Sequence, residues 1–115
     1  MAESILDCRF YRNDKGREPV REWLLGLDPQ VRKTIGTDIR LVQWRWPVAM
    51  PLVRSFGNRL YELRSTLGGN SYRVFFCIHQ TAVVLLHGFM KKTQRTPDRE
   101  LRIARKRQNE VEGEP

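Results

Sequence analysis

Three short runs, RLYELR, SYRVFFCIH and VVLLHGFMKKTQR, carry a set of residues suited to work on a phosphate: Glu62, Arg64, Arg73, His87, Lys91 and Lys92. Arginine and lysine hold phosphate oxygens, and an aromatic ring such as Phe89 stacks a base. The same groups suit phosphodiester cleavage. Attack of a ribose 2′-hydroxyl on the adjacent phosphate builds negative charge on the phosphoryl oxygens, and fixed cations stabilise it without a metal. One group must accept the 2′ proton and another must protonate the leaving 5′ oxygen. His87, Glu62 and a Lys91 perturbed by neighbouring cations are the candidates for those transfers. The same residues also fit a plainer scheme, with His87 as a hydrogen-bonded structural residue and Glu62 in ion pairs with Arg64 and Arg73. Such pairs contribute only about 0–1 kcal/mol each at a surface.

Side chains alternate across a strand. Alternation puts Glu62 and Arg64 on one face of their strand, Arg73, Phe75, Cys77 and His79 on one face of the next, and Val83, Leu85, His87, Phe89 and Lys91 on one face of the last. Paired in simple register, these strands bring the polar residues together on one open face. The opposite faces are almost wholly apolar and suit helix packing.

The elements that must position this face read clearly. SILDCRFYR is an opening strand. EPVREWLLGL is a short helix with Pro19 at its start and Gly26 at its end. DPQVRKTIGTDIRLVQWRW is a longer helix, capped by Asp28 and ended by Trp46-Pro47. Val31, Ile35, Ile39, Val42 and Trp46 form its apolar stripe, with Arg32, Lys33 and Arg40 outside it. Gly36 weakens that helix by roughly 1 kcal/mol relative to Ala and marks an expected close helix contact. The three strand runs are joined by the turn-like TLGGN and QT, as in an antiparallel meander. TPDRELRIARKRQNE is a final helix with Thr96 as its N-cap, and VEGEP is an acidic frayed tail. The expected fold is α+β: a small, mainly antiparallel sheet in the order strand, two helices, three strands, helix, with the helices packed on one face.

The 115 residues suit one domain, over residues 1–107, with a frayed acidic segment over 108–115. The net charge of +8 favours a polyanionic partner. The apolar runs are too short to span a membrane, and the opening residues lack the layout of a secretory signal, so the expected location is the cytoplasm. The two cysteines, Cys8 and Cys77, make no disulfide framework, and with His79 and His87 they lack zinc-ligand spacing. No phosphate-binding glycine loop or nucleophile elbow is present. The expectation is therefore a protein without metal or cofactor.

RLYELR, YRVFF and VVLLHGFMKKTQRTPDRELRIARKR, with EPVREWLLGLDPQVR upstream, together resemble the HigB-type toxins of bacterial toxin–antitoxin modules, the phage-derived branch of the RelE/ParE superfamily. The resemblance covers Phe10 to Arg107. It implies a RelE-like fold and a metal-independent endoribonuclease that enters the ribosomal A site and cuts mRNA there. It also implies a cognate HigA-like helix-turn-helix antitoxin as partner. On that resemblance Arg73 and Lys91 take phosphate and transition-state charge, Arg64 positions the backbone, and His87 is either a proton-transfer group or structural. Lys92, on the opposite face of a regular strand, joins Arg95, Phe89, Arg32, Lys33 and Arg40 as RNA or ribosome contacts. Two other functions share these features: a ParE-like inhibitor of DNA gyrase, and a nucleic-acid-binding module without catalysis.

Overall fold

The computed structural model describes residues 5–114. Ser4 of the expected first strand and Pro115 of the expected tail lie outside them. The elements run β1 (Asp7–Phe10), α1 (Pro19–Leu25), α2 (Pro29–Arg45), β2 (Val53–Ser55), β3 (Leu60–Leu67), β4 (Asn70–His79), β5 (Ala82–Lys91) and α3 (Asp98–Glu112). The fold is α+β, with three helices and a five-stranded mixed sheet in the order β1-β5-β4-β3-β2. The expected meander is β3–β4–β5, antiparallel throughout, and β1 pairs in parallel with β5. The short edge strand β2 was not anticipated; it pairs antiparallel with β3.

The helices form as their residues dictate. Asp28 caps α2 by accepting from the Gln30 N–H at 3.0 Å. Val31, Ile35, Ile39 and Val42 bury the α2 stripe against Leu63, Val74, Phe76 and Leu85, and Trp46 packs edge-on against Tyr61 and Phe76. Gly36 does not mark a close contact: it is exposed, and a Cβ there would meet nothing within 4 Å.

Three expectations are corrected. The helices do not share one face of the sheet: α1 and α2 pack on the face of Leu63, Val74 and Leu85, whereas α3 contacts β4 and β5 and lies over Phe75, Val84 and Leu86. Each face carries enough apolar surface to need a cover. The segment from residue 108 does not fray, because α3 continues to Glu112. Gln108 and Val111 are buried, and Gln108 donates to the Asn58 carbonyl at 2.7 Å. Thr96 is not the cap of α3, whose N-cap is Pro97. Among the described residues no helix is long and apolar enough to cross a membrane.

A cationic cleft at the end of the meander

Register decides which side chains meet. Arg54 pairs with Glu62, Glu62 with Phe75, and Phe75 with His87, which makes one row across β2 to β5. Arg64, Arg73 and Phe89 form the next row. Thr66, Ser71 and Lys91 form the row at the open end. The polar residues do share a face, but not by simple alternation. The ladder shifts between Phe75 and Phe76, which pair with His87 and Leu85, so Leu86 is an extra residue in β5. Such a bulge reverses the phase of the strand beyond it. Val83 and Leu85 therefore pack beneath α1 and α2, opposite to His87, Phe89 and Lys91.

Arg64, Arg73, Lys91 and Lys92 line a cleft of about 490 Å³, together with the neutral Ser71, Thr93 and Gln94. A second opening of about 340 Å³ adjoins it and shares Arg64 and Arg73. Among the described residues no carboxylate lines the first cleft. Lys92 corrects the expectation that placed it on the opposite face: β5 ends at Lys91, so Lys92 is free of strand alternation and turns into the cleft.

Beneath the cleft lies Glu62, 1% exposed, with its Oε1 3.7 Å from Nε of Arg73, itself 5% exposed. The separation exceeds a hydrogen bond, and neither of those two atoms has another partner among the described residues. Arg73 Nη1 reaches the Tyr72 carbonyl at 3.5 Å. Burial lowers the Arg73 pKa first; Glu62 opposes that shift and Arg64 adds to it. The guanidinium stays charged at neutral pH all the same. The Lys91 pKa is also lowered, by desolvation and then by Arg73, with Arg64 and Arg54 adding and Glu62 opposing. A lysine so placed exchanges its proton more readily than a free surface lysine.

The other expected site residues fall elsewhere. His87 ties β5 to α3: Nε2 lies 2.6 Å from Glu100 Oε1, and Arg107 donates toward Nδ1 at 3.5 Å. That geometry suits the neutral ring. Burial lowers the His87 pKa, Arg107 and Arg99 add to the shift, and Glu100 opposes it. Phe89 is 8% exposed and stacks against both Phe75 and His87 of the neighbouring row, so its ring is buried rather than offered to a base, contrary to expectation. Arg95 is exposed, 3.8 Å from Asp98. Arg32, Lys33 and Arg40 stand on α2, which covers the other face of the sheet, and do not join the cleft.

Sequence reasoning missed Arg54 and Arg107, and read Thr96 only as a helix cap. Arg54 faces Glu62 from β2 and holds its guanidinium 4.7 Å from the Phe56 ring centroid. Its signal, one cation in a three-residue strand, is too short to read. Arg107 donates to the Leu86 carbonyl at 2.9 Å, satisfying the bulge. Among the described residues no group of three or more His, Cys, Asp or Glu side chains converges as a metal site. Burial pushes the Cys77 thiol up to about 12, so it behaves as a small apolar residue.

No curated protein matches the sequence. The family model of phage-derived protein Gp49-like (DUF891) matches residues 22–109, from α1 through most of α3. The chain therefore belongs to the Gp49-like phage-derived family, a toxin-like family related to the RelE/ParE toxins.

Proposed function

We propose that this protein is the toxin of a type II toxin–antitoxin pair, with a RelE-like fold of the HigB type, and that it cuts mRNA in the ribosomal A site. The observation that carries the reading is the cleft lined by Arg64, Arg73, Lys91 and Lys92, with no carboxylate in its lining among the described residues. Such a cleft attracts a polyanion and stabilises charge that develops on a phosphate. Its partner in the resting cell is a HigA-like helix-turn-helix antitoxin.

The reaction needs no co-reactant. The 2′ oxygen bonds to phosphorus as the bond from phosphorus to the 5′ oxygen breaks. The products are a 2′,3′-cyclic phosphate and a free 5′-hydroxyl. Arg64 and Arg73 hold the phosphoryl oxygens. Of the three proton-transfer candidates, His87 is engaged by Glu100 and Arg107, and Glu62 is enclosed. Lys91 lines the cleft and, with its lowered pKa, protonates the 5′ oxygen; the 2′ proton leaves to solvent.

Primer extension on a defined mRNA in a purified translation system tests this, with and without ribosomes. The expected result is discrete cuts that require the ribosome and that fade in Lys91→Ala and Arg64→Ala. Cuts that appear on naked RNA, or that persist in both variants, contradict it. Absence of cuts from folded wild type, with gyrase supercoiling inhibited, assigns the gyrase function instead.

A further inference from the structure

Thr96 stands just before α3, where a threonine ordinarily caps the helix. Its hydroxyl instead donates to Glu62 Oε2 at 3.0 Å, and Thr96 is 7% exposed. The residues between β5 and this bond are Lys92, Thr93, Gln94 and Arg95, all exposed. Thr93 bonds the Arg95 carbonyl at 2.6 Å, a contact internal to the segment. Three of these residues line the cleft. The segment is thus held at one end by the β5 ladder and at the other by a bond to a buried carboxylate. That carboxylate is also the counter-charge of Arg73.

We propose that Glu62 is the positioning residue of the cationic cleft, acting through Thr96 on the Lys92–Arg95 segment and directly on the Arg73 guanidinium. One carboxylate fixes both sides of the cleft. Its two oxygens divide the work: Oε2 accepts from Thr96, and Oε1 faces Arg73 without a hydrogen bond. Glu62 does not touch a bound RNA. It sets where the groups that do so stand. The consequence for cleavage rests on the proposed nuclease function; the consequence for the segment does not.

The test uses Thr96→Val, which keeps the shape and removes the donor, Thr96→Ser, which restores it, and Glu62→Gln. Backbone order parameters of Lys92–Arg95 come from 15N relaxation on the free protein. The expected result is a loosened segment in Thr96→Val and wild-type order in Thr96→Ser. The cleavage rate falls about 10- to 100-fold in Thr96→Val, the scale of a displaced catalytic group, and recovers in Thr96→Ser. Glu62→Gln moves the alkaline limb of the pH–rate profile to lower pH. Lys91 there keeps the repulsion of Arg73, Arg64 and Arg54 and loses the one carboxylate opposing them. Should Glu62→Gln fail to fold, the Thr96 pair decides alone. Unchanged order in Thr96→Val overturns the proposal, as does full cleavage by a loosened variant. A segment loosened in Thr96→Val, with a wild type that never cuts RNA, sustains the positioning role and refutes the nuclease function.

Discussion

Gly88 sits in the middle of LHGFMKK, on the face of β5 that meets α1. An added Cβ would lie 2.3 Å from Trp23 Cε3, 2.5 Å from Cζ3 and 2.9 Å from Cδ2. The indole ring occupies the space that any side chain would need. Gly88 has no positive φ, so alanine meets no backbone obstacle and the substitution isolates the clash. To admit the methyl, the ring must withdraw by roughly 1 Å, judged against ordinary carbon contacts of about 3.5 Å. Overpacking of this kind costs about 1–3 kcal/mol. For a domain of this size that lowers Tm by roughly 4–15 °C. Thermal unfolding of Gly88→Ala by circular dichroism measures it. The same substitution in a Trp23→Leu background should cost less than about 1 kcal/mol, because the obstructing ring is gone. An unchanged Tm in Gly88→Ala, or an equal loss in both backgrounds, would refute the reasoning.

Single-stranded RNA should bind the free protein with a log–log salt slope near about −3, from four cleft cations at about −0.7 each. Lys92→Ala should bring the slope to about −2 in fluorescence anisotropy, and an unchanged slope would remove Lys92 from the cleft's contacts. Gly36→Ala, at an exposed helical site with nothing within 4 Å, should raise stability in urea unfolding by about 0.5–1 kcal/mol. His87 is held below its ordinary value of 6.5. Its unfolded form therefore binds a proton first as pH falls, so its contribution is complete above about 6.5 and is lost as pH drops toward the folded value. Wild type should lose more Tm than His87→Gln between about pH 7 and 5, and equal losses would contradict the shift.

Much of this fold is legible in the residues themselves. The α2 stripe, the Asp28 cap and the β3–β5 meander follow from periodicity and turn chemistry. The set Arg64, Arg73 and Lys91 follows from alternation within each strand. What alternation cannot show is the extra residue at Leu86. It inverts the phase within one strand, so Val83 and Leu85, which plain alternation puts on the face of Lys91, lie on the opposite one, while Lys91 still lines the same cleft as Arg73. Phe89 reads as an available aromatic only if that face is open; α3 and the Phe75 ring enclose it. The extent of α3 was readable in principle, since Leu101, Ala104, Gln108 and Val111 repeat at helical spacing. The acidic residues around Val111 concealed it. Thr96 shows the opposite case: local sequence favoured a cap, and a buried carboxylate more than thirty residues away captured the hydroxyl.

On the proposed function, Lys91 and its neighbouring arginines drive a 2′-hydroxyl attack on ribosome-bound mRNA. The ends of the RNA fragments test it most directly, read by mass spectrometry after translation with wild type and with Lys91→Ala. The expected result is 2′,3′-cyclic phosphate and 5′-hydroxyl ends from wild type, and a large loss of both from Lys91→Ala at unchanged fold. Fragments ending in 3′-hydroxyl and 5′-phosphate, or equal yields from the variant, would contradict it.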